Sequence, residues 1–187
     1  NAVMGAEGRF LVLSGEEISD QDKVKDVPVH LNAIHLEKTL PPAGGSSVVD
    51  VLQRNVDMIA AGAGACTINH PNFCWAFSAK EMAQVKNFRM FEIYNGHPTV
   101  NNVGGGGHIS AEAIWDSLLV LGLRVFGVAS DDAHGYKQWA ARYANPGRGW
   151  AVVRADRLDA AELVAALNKG DFYSSTGVSL KDVKCDG

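Results

Sequence analysis

Residues 47–70, SVVDVLQRNVDMIAAGAGACTINH, give the clearest indication of fold in this 187-residue sequence. Apolar side chains recur at helical spacing from Val48 to Ala61, and Ser47 is a suitable N-cap for that helix. After a glycine-containing turn, the segment from Ala65 to Asn69 has the composition of a short buried strand and leads directly into His70. The stretch therefore predicts a helix followed by a strand whose end carries a polar side chain.

The same alternation extends along the chain in both directions. The further predicted strands are residues 10–14, 28–34, 90–94 and 124–129, and the further predicted helices are 78–85, 110–121 and 159–168. Strands that alternate with helices indicate parallel pairing, so the pattern predicts an α/β fold, either a doubly wound sheet or a barrel. Both architectures place their functional sites at the carboxyl ends of the strands.

Composition narrows the function classes. With 47% hydrophobic and 20% charged residues, the chain is typical of one globular domain, and its formal charge of -4 gives no support for bulk nucleic-acid binding. No apolar run approaches the roughly 20 residues of a membrane helix, so we expect a soluble protein. The sequence does not indicate its cellular compartment. Three cysteines without CxxC spacing indicate free thiols, with the first in a strand: Cys66, Cys74 and Cys185.

Carboxylate and imidazole side chains follow several predicted strands, and these are the groups that bind Zn²⁺, Mn²⁺ and Fe²⁺. Glu17 follows the first strand, His70 the third, and Asp132 with His134 the fifth. We expect Asp132 and His134 to point the same way because they lie one residue apart on an extended segment. Pro71 should likewise keep His70 extended. His30 is the exception because it lies inside a strand.

Each of these residues also has a simpler interpretation. A histidine in a strand is more often a core or edge residue than a ligand, His70 could be a loop histidine bonded to a carbonyl, and Asp-x-His pairs are common. His97 and His108 flank a glycine-rich loop as weaker candidates for substrate contact. That loop lacks the Lys-Ser/Thr of a nucleotide-binding loop, and the absence of Gly-x-Ser-x-Gly disfavours a serine nucleophile.

Taken in order, five segments resemble the PHP (polymerase and histidinol phosphatase) family of metal-dependent hydrolases. They are GEEIS at 15–19, PVHL at 28–31, NHPN at 69–72, FEIYNG at 91–96 and ASDDAH at 129–134. A sixth segment, ALNKGDFYSSTG at 166–177, is similar to the end of this domain in relatives that include the carbaryl-hydrolase-like branch. The resemblance spans about residues 10–180 and depends on the whole ordered set.

For the fold, the resemblance implies a distorted (β/α)7 TIM-like barrel. Residues 1–180 would form the metallohydrolase domain, and 181–187 would begin a following segment. The family starts with a His-x-His strand that nothing before Glu17 matches, so we expect an N-terminal truncation and a barrel incomplete at that end. On this interpretation the fragment alone would bind metal weakly and be inactive.

For the site, the resemblance implies two or three divalent ions, Zn, Mn or Fe, in the complete protein. The implied ligands are Glu17, His30, His70, Asp132 and His134, of which Glu17, Asp132 and His134 are also the implied catalytic residues. The side chains expected to orient ligands or contact substrate are Asn69, Asn72, Asn95, His97 and His108.

The implied activity is hydrolysis of a small-molecule phosphoester by water that the metals activate. Two alternatives stay open at this point. One is a carbamate or carboxylic ester hydrolase of the same fold, and the other is a metal-stabilised binding domain without catalysis. Neither bulk nucleic acid nor a membrane is expected as a partner, and the oligomeric state is open.

Overall fold

The computed structural model describes residues 8–184, which contain seven β-strands and four α-helices. The strands are β1 Gly15–Asp22, β2 Val27–Ile34, β3 Ala65–Ile68, β4 Met90–Asn95, β5 Phe126–Ser130, β6 Trp150–Val153 and β7 Phe172–Ser175. The helices are α1 Val48–Ala61, α2 Ala79–Met82, α3 Ala111–Val120 and α4 Ala160–Lys169. No helix in this part of the chain has the length and apolar character needed to cross a membrane. The predicted free thiol of Cys185 lies outside the described residues.

Five strands form one mixed sheet in the order β1-β2-β3-β4-β5, and β6 pairs with β7 in a second, two-stranded sheet. The β3–β4 and β4–β5 pairs are parallel as predicted, whereas β1–β2, β2–β3 and β6–β7 are antiparallel. The predicted (β/α)7 barrel is therefore wrong for residues 8–184. A turn of only four residues separates β1 from β2, which leaves no room for the crossover helix that parallel pairing requires.

Local signals placed the helices well. Ser47 caps α1 by accepting a hydrogen bond from the Asp50 N–H, and Asp159 caps α4, which ends at Gly170 in the left-handed region. The predicted strand at 10–14 was wrong, because that segment is irregular apart from an isolated bridge residue and β1 begins only at Gly15. Glu17 therefore lies within a strand, where its neighbours in β2 determine its direction.

Apolar side chains alternate along β1 and β2 and bury one face of the sheet. Ile18, Val29 and Leu31 are at most 2% exposed and pack with α1 in the larger core cluster. On the opposite face, α4 contributes Val164 and Leu167 to a second cluster. Burying one such side chain contributes about 1.5–3 kcal/mol, so this alternation sets which residues of β1 and β2 face away from α1.

Strand β4 contains a β-bulge. Glu92 pairs with Val128 and Tyr94 pairs with Ala129, so Ile93 is an extra residue relative to β5. The neighbouring strand leaves space for it, because a Cβ on Gly127 would lie 2.9 Å from the Ile93 Cγ2 atom. β4 therefore bends next to the two polar residues that bound the bulge region, Glu92 and Asn95.

Candidate metal centre

Three potential ligand atoms converge at one edge of the large sheet. The Glu17 Oε1 atom lies 3.3 Å from the His30 Nδ1 atom and 3.4 Å from the His70 Nε2 atom. These three residues form the one group of His, Cys, Asp or Glu side chains in residues 8–184 whose ligand atoms all lie within 4.8 Å. Ligands arranged tetrahedrally around a zinc-sized ion are separated by roughly 3.4 Å. The donor set and its spacing therefore fit one divalent cation.

Strand register brings the first two of these residues together. In the antiparallel β1–β2 pair, Glu17 lies opposite Asn32 and Ser19 lies opposite His30. Glu17 and His30 are thus diagonal neighbours on the face opposite the core, within reach of each other's side chains. His30, with 22% of its side chain exposed, is not a core histidine even though it lies inside a strand.

His70 follows β3 and occupies an unusual backbone conformation. Its φ angle is 22°, so the prediction that Pro71 would keep it extended was wrong. The His70 carbonyl accepts the Phe73 N–H at 2.8 Å, closing a turn, and the His70 N–H donates to the Glu92 Oε2 atom at 2.9 Å. Such conformations cost of order 1–3 kcal/mol and persist where surrounding contacts stabilise them.

The electrostatics of the cluster favour a cation. Hydrogen bonds from His30 and then His70 hold the pKa of the Glu17 carboxyl well below its usual range. Burial alone would lower the pKa of His70, but the carboxylates of Glu17, Glu92 and Asp132 outweigh it and raise the pKa overall. Three carboxylates near one buried imidazole make a negative site, which a bound divalent ion would neutralise.

The two remaining predicted ligands line the same cavity as this cluster, a cavity of about 200 Å³. We call Glu17, His30 and His70 the strand half of the site, and Asp132 and His134 the loop half. The cavity is lined by Glu17, Ser19, His30, His70, Phe73, His97, Val100, Asp132 and His134. All five predicted ligands therefore border one cavity, although their metal-binding and catalytic roles remain predictions.

The loop half does not have the extended conformation that we expected. Asp132 has a φ angle of 47°, and the His134 Nδ1 atom lies 3.4 Å from the Asp132 Oδ1 atom and 2.7 Å from the Asp132 carbonyl oxygen. The segment turns back on itself, so side-chain alternation does not align the two residues. The His134 ring is 65% exposed and packs edge-on against the ring of His97.

The three asparagines predicted to orient ligands or contact substrate are all buried. Asn69 donates to the Glu17 Oε1 atom at 2.9 Å, and Asn95 donates to Glu92 at 2.9 Å and to Asp132 at 3.2 Å. Asn72 instead donates to the carbonyls of Asn101 and Ile109, at the base of the glycine-rich loop. The hydrogen bonds of Asn69 and Asn95 favour an orienting role, whereas those of Asn72 reach no predicted ligand. The role of all three in substrate contact stays a prediction.

The two histidines proposed to contact substrate occupy different places. His97 lines the cavity beside His134. His108 stacks on the ring of Trp75 with a centroid separation of 4.3 Å and does not line it. Substrate contact therefore has geometric support for His97 alone, and both roles remain predictions.

Sequence reasoning missed Glu92 as a site residue. It is 2% exposed and lies directly behind His70. A signal was available, because a carboxylate within the apolar strand MFEIY is costly unless hydrogen bonds or a charge compensate it. Phe73, which packs edge-on against His70 and lines the cavity, was missed as well.

No protein-family model and no curated protein matches the sequence. Among solved structures, the chain is similar to a two-domain protein from Bacteroides vulgatus that contains a predicted PHP-like metal-dependent phosphoesterase. The TM-score is 0.54 with 14% sequence identity. The two chains share a fold. The likeness covers 89% of this chain and 45% of the other, so this chain spans less than half the length of that protein.

Proposed function

We propose that this chain is a metal-dependent hydrolase domain of the PHP family that acts on phosphoesters. The observation that carries the proposal is the convergence of Glu17, His30 and His70 beside a cavity that Asp132 and His134 also line. The shared fold with a protein that contains a predicted PHP-like metal-dependent phosphoesterase supports the same class of activity.

The strand half would hold one divalent cation, and Asp132 with His134 would supply ligands for one or two more. Zinc, manganese and iron are all compatible with this set of imidazole and carboxylate donors. A cation in this site supplies Lewis acidity, which lowers the pKa of water and offsets negative charge on the substrate.

The protein's own side chains orient the site and control access to it. Asn69 fixes the Glu17 carboxylate through its hydrogen bond, so the shared Oε1 atom stays directed between the two histidines. Phe73 and Val100 form an apolar part of the cavity wall beside the strand half. His134, the most exposed of the five, would act as a ligand of the loop half at the solvent-facing side of the cavity.

Clustered cations attract phosphate oxygens, which is why a phosphate mono- or diester is the leading substrate class. Carbamate or carboxylic ester hydrolysis, the chemistry of the carbaryl-hydrolase-like branch, is the alternative on the same site. The two classes differ in the charge of the substrate, so a set of matched nitrophenyl esters separates them.

The test combines metal analysis with turnover in the full-length protein that contains this chain. Protein loaded with Zn²⁺ or Mn²⁺ is analysed for bound metal and assayed on p-nitrophenyl phosphate, bis-p-nitrophenyl phosphate and p-nitrophenyl acetate. We expect bound metal, phosphoester turnover, and loss of that turnover in Asp132→Ala and His70→Ala. Turnover of the acetate alone would favour the carboxylic ester hydrolase. Bound metal without turnover of any ester would favour a binding domain.

A further inference from the structure

Glu92 is a buried carboxylate behind the candidate metal centre. It lies in β4, is 2% exposed and does not line the cavity. Its Oε2 atom accepts the His70 N–H and the Asn95 side-chain amide, both at 2.9 Å, and its Oε1 atom accepts the Ser130 hydroxyl at 2.7 Å. Burying an ionised carboxylate costs several kcal/mol, and these three donors offset part of that cost.

The hydrogen bonds of Glu92 extend to both halves of the site. On one side they reach the backbone of His70 directly. On the other side, the Asn95 amide that donates to Glu92 also donates to the Asp132 Oδ2 atom at 3.2 Å, while the Asn95 Oδ1 atom accepts the His97 N–H at 2.8 Å. Within residues 8–184, Glu92 is thus one hydrogen bond from the strand half and two from the loop half.

Both residues reached in this way have backbone conformations that L-amino acids seldom adopt. The φ angles are 22° for His70 and 47° for Asp132. A strained residue stays in place only if its surroundings determine its conformation. The Glu92 carboxylate contacts the His70 backbone, and Asn95 links the same carboxylate to the Asp132 side chain.

We propose that Glu92 is a positioning residue that fixes the separation of His70 and Asp132 across the cavity. The inference rests on the proposed function, since it assigns Glu92 to the same metal centre. Glu92 is not proposed as a metal ligand. Both of its carboxylate oxygens already accept hydrogen bonds from the protein, and Glu92 does not line the cavity.

A glutamine at this position separates positioning from charge. The carbonyl oxygen of glutamine can accept the bonds from His70 and Asn95, while its amide can donate to the Ser130 hydroxyl, which also accepts hydrogen bonds. Glu92→Gln therefore preserves the contacts and removes the charge. Glu92→Ala removes both the contacts and the charge. Asn95→Ala breaks the link to the loop half, together with the hydrogen bond from the His97 N–H, and leaves the Glu92 carboxylate in contact with His70.

The experiment measures Co²⁺ and Zn²⁺ affinity and the Co²⁺ absorption spectrum, together with thermal unfolding and ester turnover. Loss of an outer hydrogen-bond partner of a ligand typically costs about 10–100-fold in metal affinity, and we expect that loss in Glu92→Ala. Glu92→Gln should stay within about threefold of the wild type with an unchanged Co²⁺ spectrum. Glu81→Gln, in the partly buried capping box of α2 and outside the cavity, is the matched control and should change neither the metal affinity nor the Co²⁺ spectrum.

Equal loss of affinity in Glu92→Gln and Glu92→Ala would overturn the proposal, because the charge would then matter and not the contacts. If Glu92→Ala does not fold, Asn95→Ala decides: a folded variant with wild-type affinity and turnover overturns the proposal. Wild-type metal binding with the expected variant pattern but no ester turnover would support the positioning role and contradict the proposed function. Wild-type protein that binds no metal would overturn both.

Discussion

The strand half and the loop half of the site are built in different ways. In the strand half, β1 and β2 carry Glu17 and His30, whose separation follows from antiparallel register, and the His70 side chain is only 7% exposed. In the loop half, Asp132 and His134 follow β5, and the His134 side chain is 65% exposed. The register of β1 and β2 brings Glu17 and His30 of the strand half within reach of each other's side chains. The conformation of a loop determines the positions of the residues in the loop half.

The loop half nevertheless has its own framework of hydrogen bonds. The backbone amides of His134 and Gly135 both donate to the Ala144 carbonyl, and the buried Asn145 side chain donates to the carbonyls of Gly135 and Gln138. These hydrogen bonds join residues within the loop, and none of them joins the loop to the strand half. We therefore expect metal affinity to depend mostly on the strand half and turnover to depend on both.

The largest effect is expected from His70→Ala. This change removes a proposed ligand of the strand half, so affinity for Zn²⁺ should fall by more than about 100-fold, beyond the effect of losing an outer hydrogen-bond partner. Competition with a chelating dye measures it, with His108→Ala as the control because that ring stacks on Trp75 outside the cavity. Unchanged affinity would place the metal elsewhere.

Removal of the metal should destabilise the protein, because the folded state would lose the cation bound at the strand half. A ligand present at 100 times its dissociation constant stabilises the folded state by about 2.7 kcal/mol, which chelation by EDTA abolishes. Thermal unfolding of the wild type with and without EDTA measures the shift, and His70→Ala should show almost none. A shift of equal size in His70→Ala would contradict the assignment of the strand half as the main binding site.

His134→Ala should separate binding from turnover. Because the strand half is untouched, we expect Zn²⁺ affinity to change by less than about 10-fold, while phosphoester turnover falls by at least about 100-fold. Steady-state kinetics at saturating metal measures the difference. If affinity falls as far as it does in His70→Ala, the two halves share one tightly coupled site.

The smallest effect is expected from Asn145→Ala. The change removes the hydrogen bonds that the Asn145 amide donates to Gly135 and Gln138, as well as those that its oxygen accepts from Ala140 and Arg148. It should lower the free energy of unfolding by about 1–3 kcal/mol. Turnover should fall severalfold, and metal affinity should stay at the wild-type value because the strand half is unaffected. Urea unfolding measures the free energy of unfolding, and dye competition on the same preparation measures metal affinity. A fall in metal affinity would contradict the assignment of metal binding mainly to the strand half.

The helices and part of the site could be predicted from the sequence because their signals are local. The caps of α1 and α4 and the left-handed Gly170 follow from single residues next to periodic apolar positions. Cys66 in a buried strand followed from composition as well. His70 follows β3 and Asp132 follows β5, and both line the same cavity because parallel strands end together, while their roles in the site remain predictions.

The errors came from contacts between distant residues. Residues 10–14 have the composition of a strand, but pairing with β2 starts only at Gly15. The open sheet differs from the barrel because β1 and β2 pair antiparallel, and β6 and β7 were not predicted from periodicity. Glu92 was missed because its partners His70 and Ser130 are 22 and 38 residues away in sequence.

The extra residue at Ile93 changes which side of β4 the side chains after it face. In a regular strand, residues three apart point to opposite sides, so Glu92 and Asn95 could not meet. The bulge adds one step and returns both side chains to the same side, where the amide contacts the carboxylate. Deletion of Ile93 would leave Glu92 and Asn95 two residues apart in a regular strand and so still on the same side, whereas insertion of one further residue between them would turn Asn95 toward the other face of the sheet. β4 should therefore tolerate loss of the extra residue better than a second insertion.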